Sequence, residues 1–491
     1  MSEQLPDFDT PDPESEGAIP SASLAAHSRP DYEVRRERRR QTDREILHMA
    51  WPAILSQVLA SAVSLIDIAM LGRLGTEALA AVGYATQYFW LAQAVLFAVG
   101  IGQVSIMARA LGAGDRERAR RAQNVFVVLS LTWATAVAGL VALAPRELVL
   151  LLNATEQVAA LAVPYFLLTI ASTLFFAVAL SYESGMRASR NTRTPLQIAL
   201  VVTGVKLVLN YLLIFGALGF PRMDLVGAGL ATLGSQVIGM LLFVAAARRG
   251  GQRDILTFAR ADLRGTRPLF QEALRISMPA IGERVLMQAA LMTYFWLLGG
   301  YGPVAVAAYT VGVRVLSFSW IPGTGLSIAA STLVGQALGA GDASAAGRAG
   351  WRATRMGLMI STVLGLVFAF AREPLGRAFT DDPAVIHALG PFMLTLALTQ
   401  PMMGAHFTLG GALRGAGDTV TPLYAALLGN WGLRVPLAFL AAIVFEADVA
   451  WVWMALCSDH VSRAIWLAIE FSRARWAENL GVHAVADRPA H

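Results

Sequence analysis

Twelve runs of roughly 20 apolar residues, each with few charges, divide this 491-residue chain, and no water-soluble fold has an interior large enough to hide them all. They cover 47–71, 78–106, 122–143, 158–182, 196–217, 226–247, 274–298, 303–335, 354–371, 386–411, 423–445 and 450–470. Each is long enough to cross a hydrocarbon core of about 30 Å as a helix. Only 15% of residues are charged, against roughly 25% in soluble chains. The fold class expected is therefore an all-α polytopic membrane protein with twelve transmembrane helices.

A second pattern divides the twelve in two. The string "ALGAGD" stands at 110–115 and again at 337–342. Laying residue n on residue n+227 without a gap also pairs Pro52-Ala53-Ile54 with Pro279-Ala280-Ile281, Gly72 with Gly299, Pro164 with Pro391, Arg187 with Arg414 and Thr194-Pro195 with Thr421-Pro422. Such self-similarity marks duplicated units. Because each unit holds six spans, an even number, both enter the membrane from the same side, as two pseudo-symmetric six-helix bundles of the parallel transporter type. Each "ALGAGD" follows a second span, where Gly can end a helix and Asp can cap the next.

Basic residues orient the whole. Of the 39 Lys and Arg, 28 fall in the tails and in the loops on the N-terminal side, and five (Arg73, Arg146, Arg222, Arg372, Arg377) fall on the opposite side. The positive-inside rule then places both termini in the cytoplasm. The expected organisation is a disordered cytoplasmic tail over 1–43, an N-lobe over 44–247, a cytoplasmic linker over 248–273, a C-lobe over 274–472 and a C-terminal tail over 473–491. Residues 1–43 have neither the apolar core nor the cleavage pattern of a secretory signal, and "RRERRR" (35–40) is suited to anionic headgroups. The one cysteine, Cys457, excludes an intrachain disulfide and suggests no metal cluster.

The segments "MAWPAILSQVLASAVSLIDIAMLGRLGTEALAAVG" (49–83), "ALGAGDRERARRA" (110–122) and "LGGALRGAGDTVTP" (409–422) resemble those of the multidrug and toxic compound extrusion (MATE) family, and "PAIGERVL" (279–286) is most similar to its DinF-like branch. The resemblance covers essentially the whole chain beyond the N-terminal tail. It implies a secondary active transporter that exports cationic or amphipathic organic compounds against an inward flow of H+ or Na+. It implies no enzyme activity, no cofactor beyond the coupling ion and no nucleic-acid partner. The lipid bilayer and a small organic substrate are its implied partners, with a monomer in a bacterial inner membrane as the working form.

Asp67 is the first site candidate. An acid in an apolar span costs roughly 2.5–3.5 kcal/mol on insertion scales and faces a cavity or a partner; burial favours the neutral carboxyl, which suits a group that loads and releases protons. Asp67 matches the first-helix aspartate of MATE transporters, and its repeat mate is Tyr294, so the fold itself does not demand an acid there. Lys206 is the only lysine in the chain and sits mid-span. Family members often carry Asn where Lys206 aligns, and an acid or Asn at Asn210, a pair that in some helps bind Na+. Here the ammonium is expected to take the place of the sodium ion and pair with ionised Asp67, which favours proton coupling.

In the second half Glu283, Arg284 and His406 are the candidates for substrate or a second coupling site. Arg284 projects about 100° from Glu283 on a helix, so Glu283 needs another partner, with Arg314 and Arg434 in prospect. Asp459 and Arg463, four apart, are spaced to pair on one face. Arg187 with Pro195 and Arg414 with Pro422 read as paired structural hinges, the arginines binding helix carbonyls or headgroups and the prolines starting the next helix. Aromatics such as Tyr84, Trp90 and Trp320 suit either helix packing or an adaptable wall for flat ligands.

A major-facilitator-type transporter shares twelve spans and a basic second loop, but the matched turns around Arg187 and Arg414 speak against it. A lipid-linked sugar flippase would show an extra pair of spans or a strongly cationic cavity. A membrane enzyme would need a constellation such as H-E-x-x-H or G-x-S-x-G, which is missing, as is a P-loop for ATP.

Overall fold

The computed structural model describes residues 31–474, except 153–154, 250 and 380–381, together with Trp476. All described secondary structure is helical. The twelve long helices are α1 (Asp31–Gly72), α2 (Thr76–Gly112), α3 (Arg116–Leu143), α4 (Glu156–Ala188), α5 (Arg193–Phe215), α6 (Asp224–Arg249), α7 (Arg267–Gly299), α8 (Pro303–Gly339), α9 (Ala343–Phe370), α10 (Pro383–Gly415), α11 (Val420–Val444) and α12 (Val449–Ser472). Among the described residues, nine of these are long and apolar enough to cross a membrane by length and composition alone. The other three are α7, α8 and α12; α7 carries Glu283 and Arg284, and α12 carries Asp459, His460 and Arg463.

The start of α1 at Asp31 lies inside the stretch expected to be a disordered tail. Arginine and glutamate are good helix formers, which accounts for a helix through the basic run. Residues 1–30 and 477–491 of the two tails lie outside the described residues.

The 227-residue shift recurs in the helix ends. Thr76 and Pro303 start α2 and α8, Gly112 and Gly339 end them, and Arg116 and Ala343 start the next pair. At each "ALGAGD" the second glycine takes a left-handed φ, +74° at Gly114 and +77° at Gly341, the conformation that ends helices at least cost for Gly. The aspartates then cap: Asp115 accepts from the Arg118 N–H and Asp342 from that of Ala345.

Those turns also hold the lobes together. A Cβ on Gly112 would lie 2.0 Å from the Gln336 carbonyl oxygen, and one on Gly339 would lie 2.0 Å from that of Arg109. Since Gln336 is the repeat mate of Arg109, each helix end presses on the same place in the other, the reciprocity of a two-fold contact. The contact lies on the linker side of the molecule, where α6 ends and α7 begins.

Packing differs between the two sides. On the linker side Ile46, Met49 and Ala50 of α1 join the apolar core of the C-lobe, around Leu326, Leu333 and Leu409. Reciprocally, Leu269, Ala273 and Ile276 of α7 join the core of the N-lobe, around Met107, Phe126 and Met186. On the far side each lobe has a core drawn from its own residues, one around Tyr165, Phe166 and Ile170 and the other around Tyr294, Phe392 and Trp453. The lobes are thus knitted at the linker side and separately packed at the far side.

Candidate functional site

In the N-lobe, α1 meets α5 through a three-residue polar cluster. Lys206 donates from Nζ to Oδ2 of Asp67, while Asn210, one turn on, donates from Nδ2 to Oδ1 at 2.6 Å. The i, i+4 spacing of Lys206 and Asn210 puts both on one face of α5, so the two carboxylate oxygens are gripped from a single helix. The Asp67 and Lys206 side chains retain 19% and 20% of their exposure, whereas Asn210 is buried. A cation and an amide therefore hold the two carboxyl oxygens, and the group stays within reach of solvent. Among the described residues the Oδ1 atom of Asn210 finds no hydrogen-bond partner, which leaves one acceptor beside the pair.

The C-lobe builds the equivalent contact from other chemistry. Tyr294, the repeat mate of Asp67, is fully buried and donates its hydroxyl to the Val452 carbonyl at 2.5 Å. Over its ring, 4.3 Å from the centroid, lies the guanidinium of Arg434 on α11, which also donates to the Tyr309 hydroxyl at 3.4 Å. The strict mate of Lys206 is Leu433, one residue earlier. The offset has a cause: α11 carries π-helical turns over Leu427–Arg434 and Leu440–Val444, each of which takes up an extra residue. In the N-lobe a titratable ion pair joins first helix to fifth; in the C-lobe a cation on an aromatic face does so.

Glu283 is buried and accepts from Arg414 Nη2 at both oxygens, 2.7 and 2.8 Å, with Arg463 Nη2 3.6 Å away. The expected partners were Arg314 and Arg434; Arg314 is exposed and Arg434 sits over Tyr294. The repeat contains the reason. Arg187 pairs along its own helix with Glu183, but the mate of Glu183 is Gly410, so Arg414 has no acid one turn back and reaches across to α7 instead. Both hinge arginines therefore bind carboxylates, not carbonyls. Asp459 and Arg463 pair at 3.7 Å along α12, as their spacing requires.

His406 and His460, 54 residues apart, form a stacked couple within the C-lobe, with Nδ1 of His460 2.9 Å from Nε2 of His406. Nothing in the local sequence around either links them; position in the repeat does not help, because only one copy has the pair. Arg284 is half-buried and has no ion pair among the described residues. Pro195 and Pro422 sit in the first turns of α5 and α11, after Asn191 and Asp418, whose side chains accept from the N–H groups of Thr194 and Thr421. Between hinge arginine and cap the backbone turns left-handed, at Arg190 (φ +62°) in one lobe and at Gly417 (φ +91°) in the other. Arg190 uses the turn to donate to Gln336 across the lobe boundary at 2.5 Å. Among the described residues no group of three or more His, Cys, Asp or Glu is arranged to hold a metal ion.

The family model described as MatE matches this chain twice, over residues 52–212 and 279–440. Among curated relatives, the chain is 27% identical over 443 residues to the "Probable multidrug resistance protein NorM" of Thermotoga maritima, covering 88% of this chain and 93% of the relative. It is 30% identical over 450 residues to the protein of that description from Bradyrhizobium diazoefficiens, covering 87% and 92%. Among solved structures it is similar to the Vibrio cholerae MATE transporter VcmN in the bent form, with a TM-score of 0.83 at 22% identity over 90% of this chain and 99% of that one. A structure described as the outward-facing conformation of a multidrug resistance MATE family transporter has a TM-score of 0.81 at 20% identity, covering 88% and 97%.

Proposed function

Because the chain belongs to the MatE family, whose members are transporters and not enzymes, and is a multi-pass membrane protein of multidrug efflux type, we propose that it expels amphipathic organic compounds in exchange for protons. The observation that carries this reading is the grip of Lys206 and Asn210 on Asp67. A protein-bound ammonium beside the carboxylate occupies the place a sodium ion would need, which favours H+ over Na+ as the coupling ion.

The cycle follows from the charge. Ionised, Asp67 draws α1 to α5 through Lys206. Protonated, it no longer attracts the ammonium, and the equilibrium between the two lobe arrangements shifts by the difference in interaction free energy. The excess of basic residues on the linker side favours a cytoplasmic location for that side and for both termini. In that orientation the arrangement described, knitted on the linker side and separate on the far side, is the outward-facing one, with Asp67 nearer the outer end. A monomer in the inner membrane of a bacterium, with no nucleic-acid partner, completes the reading.

The test is uptake of a fluorescent amphipath into proteoliposomes under a pH gradient or a sodium gradient, imposed separately. Accumulation driven by pH in the parent protein and lost in Asp67→Asn supports the reading; accumulation driven by sodium alone overturns it.

A further inference from the structure

The cleft-facing side of α8 is marked by Thr332, whose hydroxyl donates across the lobe boundary to the Arg187 carbonyl at 3.2 Å. Pro322 interrupts α8 between Thr332 and Arg314, so the nearer marker is Gly312, whose added Cβ would meet the Phe392 ring of α10 at 2.3 Å; Arg314, two residues on and about 200° around the helix, faces away from α10. On α7 the corresponding marker is Ser277, whose Oγ would lie 2.5 Å from a Cβ on Gly102 of α2. Arg284 comes seven residues after Ser277, which puts it within about 20° of the same face. Arg284 thus shares the face of α7 turned to the N-lobe, and Arg314 lies on the face of α8 turned away from its own lobe's α10. Arg314 is exposed, Arg284 is half-buried, and neither guanidinium has a hydrogen bond or ion pair among the described residues.

Their repeat mates in the N-lobe are Gln87 on α2 and Gln57 on α1, both exposed. At both symmetry-related positions the C-lobe presents a guanidinium where the N-lobe presents a neutral amide. The nearby carboxylates are already engaged: Asp67 by Lys206, Glu283 by Arg414 and Arg463, Asp459 by Arg463. The charge left over at mid-depth, about 16 Å along α8 from Pro303 at 1.5 Å per residue, is positive. The guanidinium groups of Arg284 and Arg314 are open to a ligand, and a guanidinium is built to bind carboxylate or sulfonate oxygens through paired N–H groups. Phe318, exposed on α8 one turn from Arg314, offers an apolar surface beside that head.

Resting on the efflux reading above, we propose that the cleft takes amphipathic organic anions, an apolar or aromatic body bearing a carboxylate or sulfonate, with Arg314 and Arg284 as its specificity-determining residues. An organic cation meets uncompensated like charge at the same depth.

The test uses the purified full chain in proteoliposomes under an imposed pH gradient, with 5-dimethylaminonaphthalene-1-sulfonate as the anionic probe and ethidium as the cationic one. The expected result is saturable transport of the sulfonate, a KM raised about tenfold or more in Arg314→Gln and in Arg284→Gln, and recovery of most of the affinity in Arg314→Lys. Thermal unfolding of each variant in detergent shows that the fold is retained; Arg314→Glu, expected to admit ethidium, adds a gain of function that misfolding cannot produce. Transport of ethidium but not sulfonate by the parent protein, or an unchanged sulfonate KM in both glutamine variants, overturns the anion assignment and leaves the efflux reading standing. Movement of neither probe under any gradient, or transport by Asp67→Asn equal to the parent, overturns the efflux reading and the assignment with it.

Discussion

His460 and His406 stack at an interplanar angle of 14° with a ring nitrogen of each 2.9 Å apart, buried between α10 and α12. One ring donates and the other accepts, so the bond needs at least one neutral imidazole. Removing either ring leaves the other with a buried polar atom and no partner.

His406→Leu is expected to destabilise the protein by about 1–3 kcal/mol, the cost of such an orphaned group. His406→Gln, which offers both donor and acceptor, should recover part of it. Thermal unfolding in detergent, compared across the two variants and the parent, checks the order.

Asp67→Asn keeps the shape of the α1–α5 cluster and removes its titration. Transport driven by a pH gradient should vanish while expression is unaffected. Lys206→Asn should also lose pH-driven uptake, by at least about tenfold, because the carboxylate then has no ammonium to release; initial rates in proteoliposomes measure both.

Glu283→Gln would leave Arg414 without its buried counter-ion and Arg463 with Asp459 alone, and breaking one side of such a pair costs about 3–5 kcal/mol. Arg414→Met alone should also be destabilising, since it leaves Glu283 with only the longer contact to Arg463 at 3.6 Å. The double replacement Glu283→Met with Arg414→Met should cost less than either single change, since no buried charge is then stranded between them. A double-mutant cycle on unfolding free energies is the measurement.

Gly339→Val puts a side chain where only 2.0 Å separates a Cβ from the Arg109 carbonyl oxygen, so the linker-side contact has to part. Ser105, fully buried on α2 next to that contact, reports the parting. In a Cys457→Ser background, a cysteine introduced by Ser105→Cys should resist a water-soluble maleimide in the parent and react in the Gly339→Val variant.

Helix number and the two-lobe plan were legible because hydropathy and an ungapped repeat are properties of the chain itself, whereas several helices begin well before their apolar runs, α1 at Asp31 and α9 at Ala343. The "ALGAGD" turns were legible as caps, but their second role was not: that Gly112 and Gly339 press on each other's helices depends on how the lobes meet. The Asp67–Lys206 pair could be read from two charges that have no business in apolar spans. The partner of Glu283 was missed because Arg414 was assigned to a hinge by its place at a helix end. The exchange of Glu183 for Gly410 between the repeats was the available signal, and it frees Arg414 to reach α7. The histidine couple left no sequence trace, since its members come from helices brought together only by packing.

The wide turns of α11 carry a practical lesson about counterpart positions. With 25 residues against the 23 of α5, α11 slips out of step with its twin as it proceeds, and Arg434 stands opposite Lys206 at a separation of 228. Anyone transplanting a substitution from one half to the other should add 227 up to the first wide turn and recount by geometry afterwards. A swap made by arithmetic alone at Lys206 would land on Leu433 and alter the wrong neighbour.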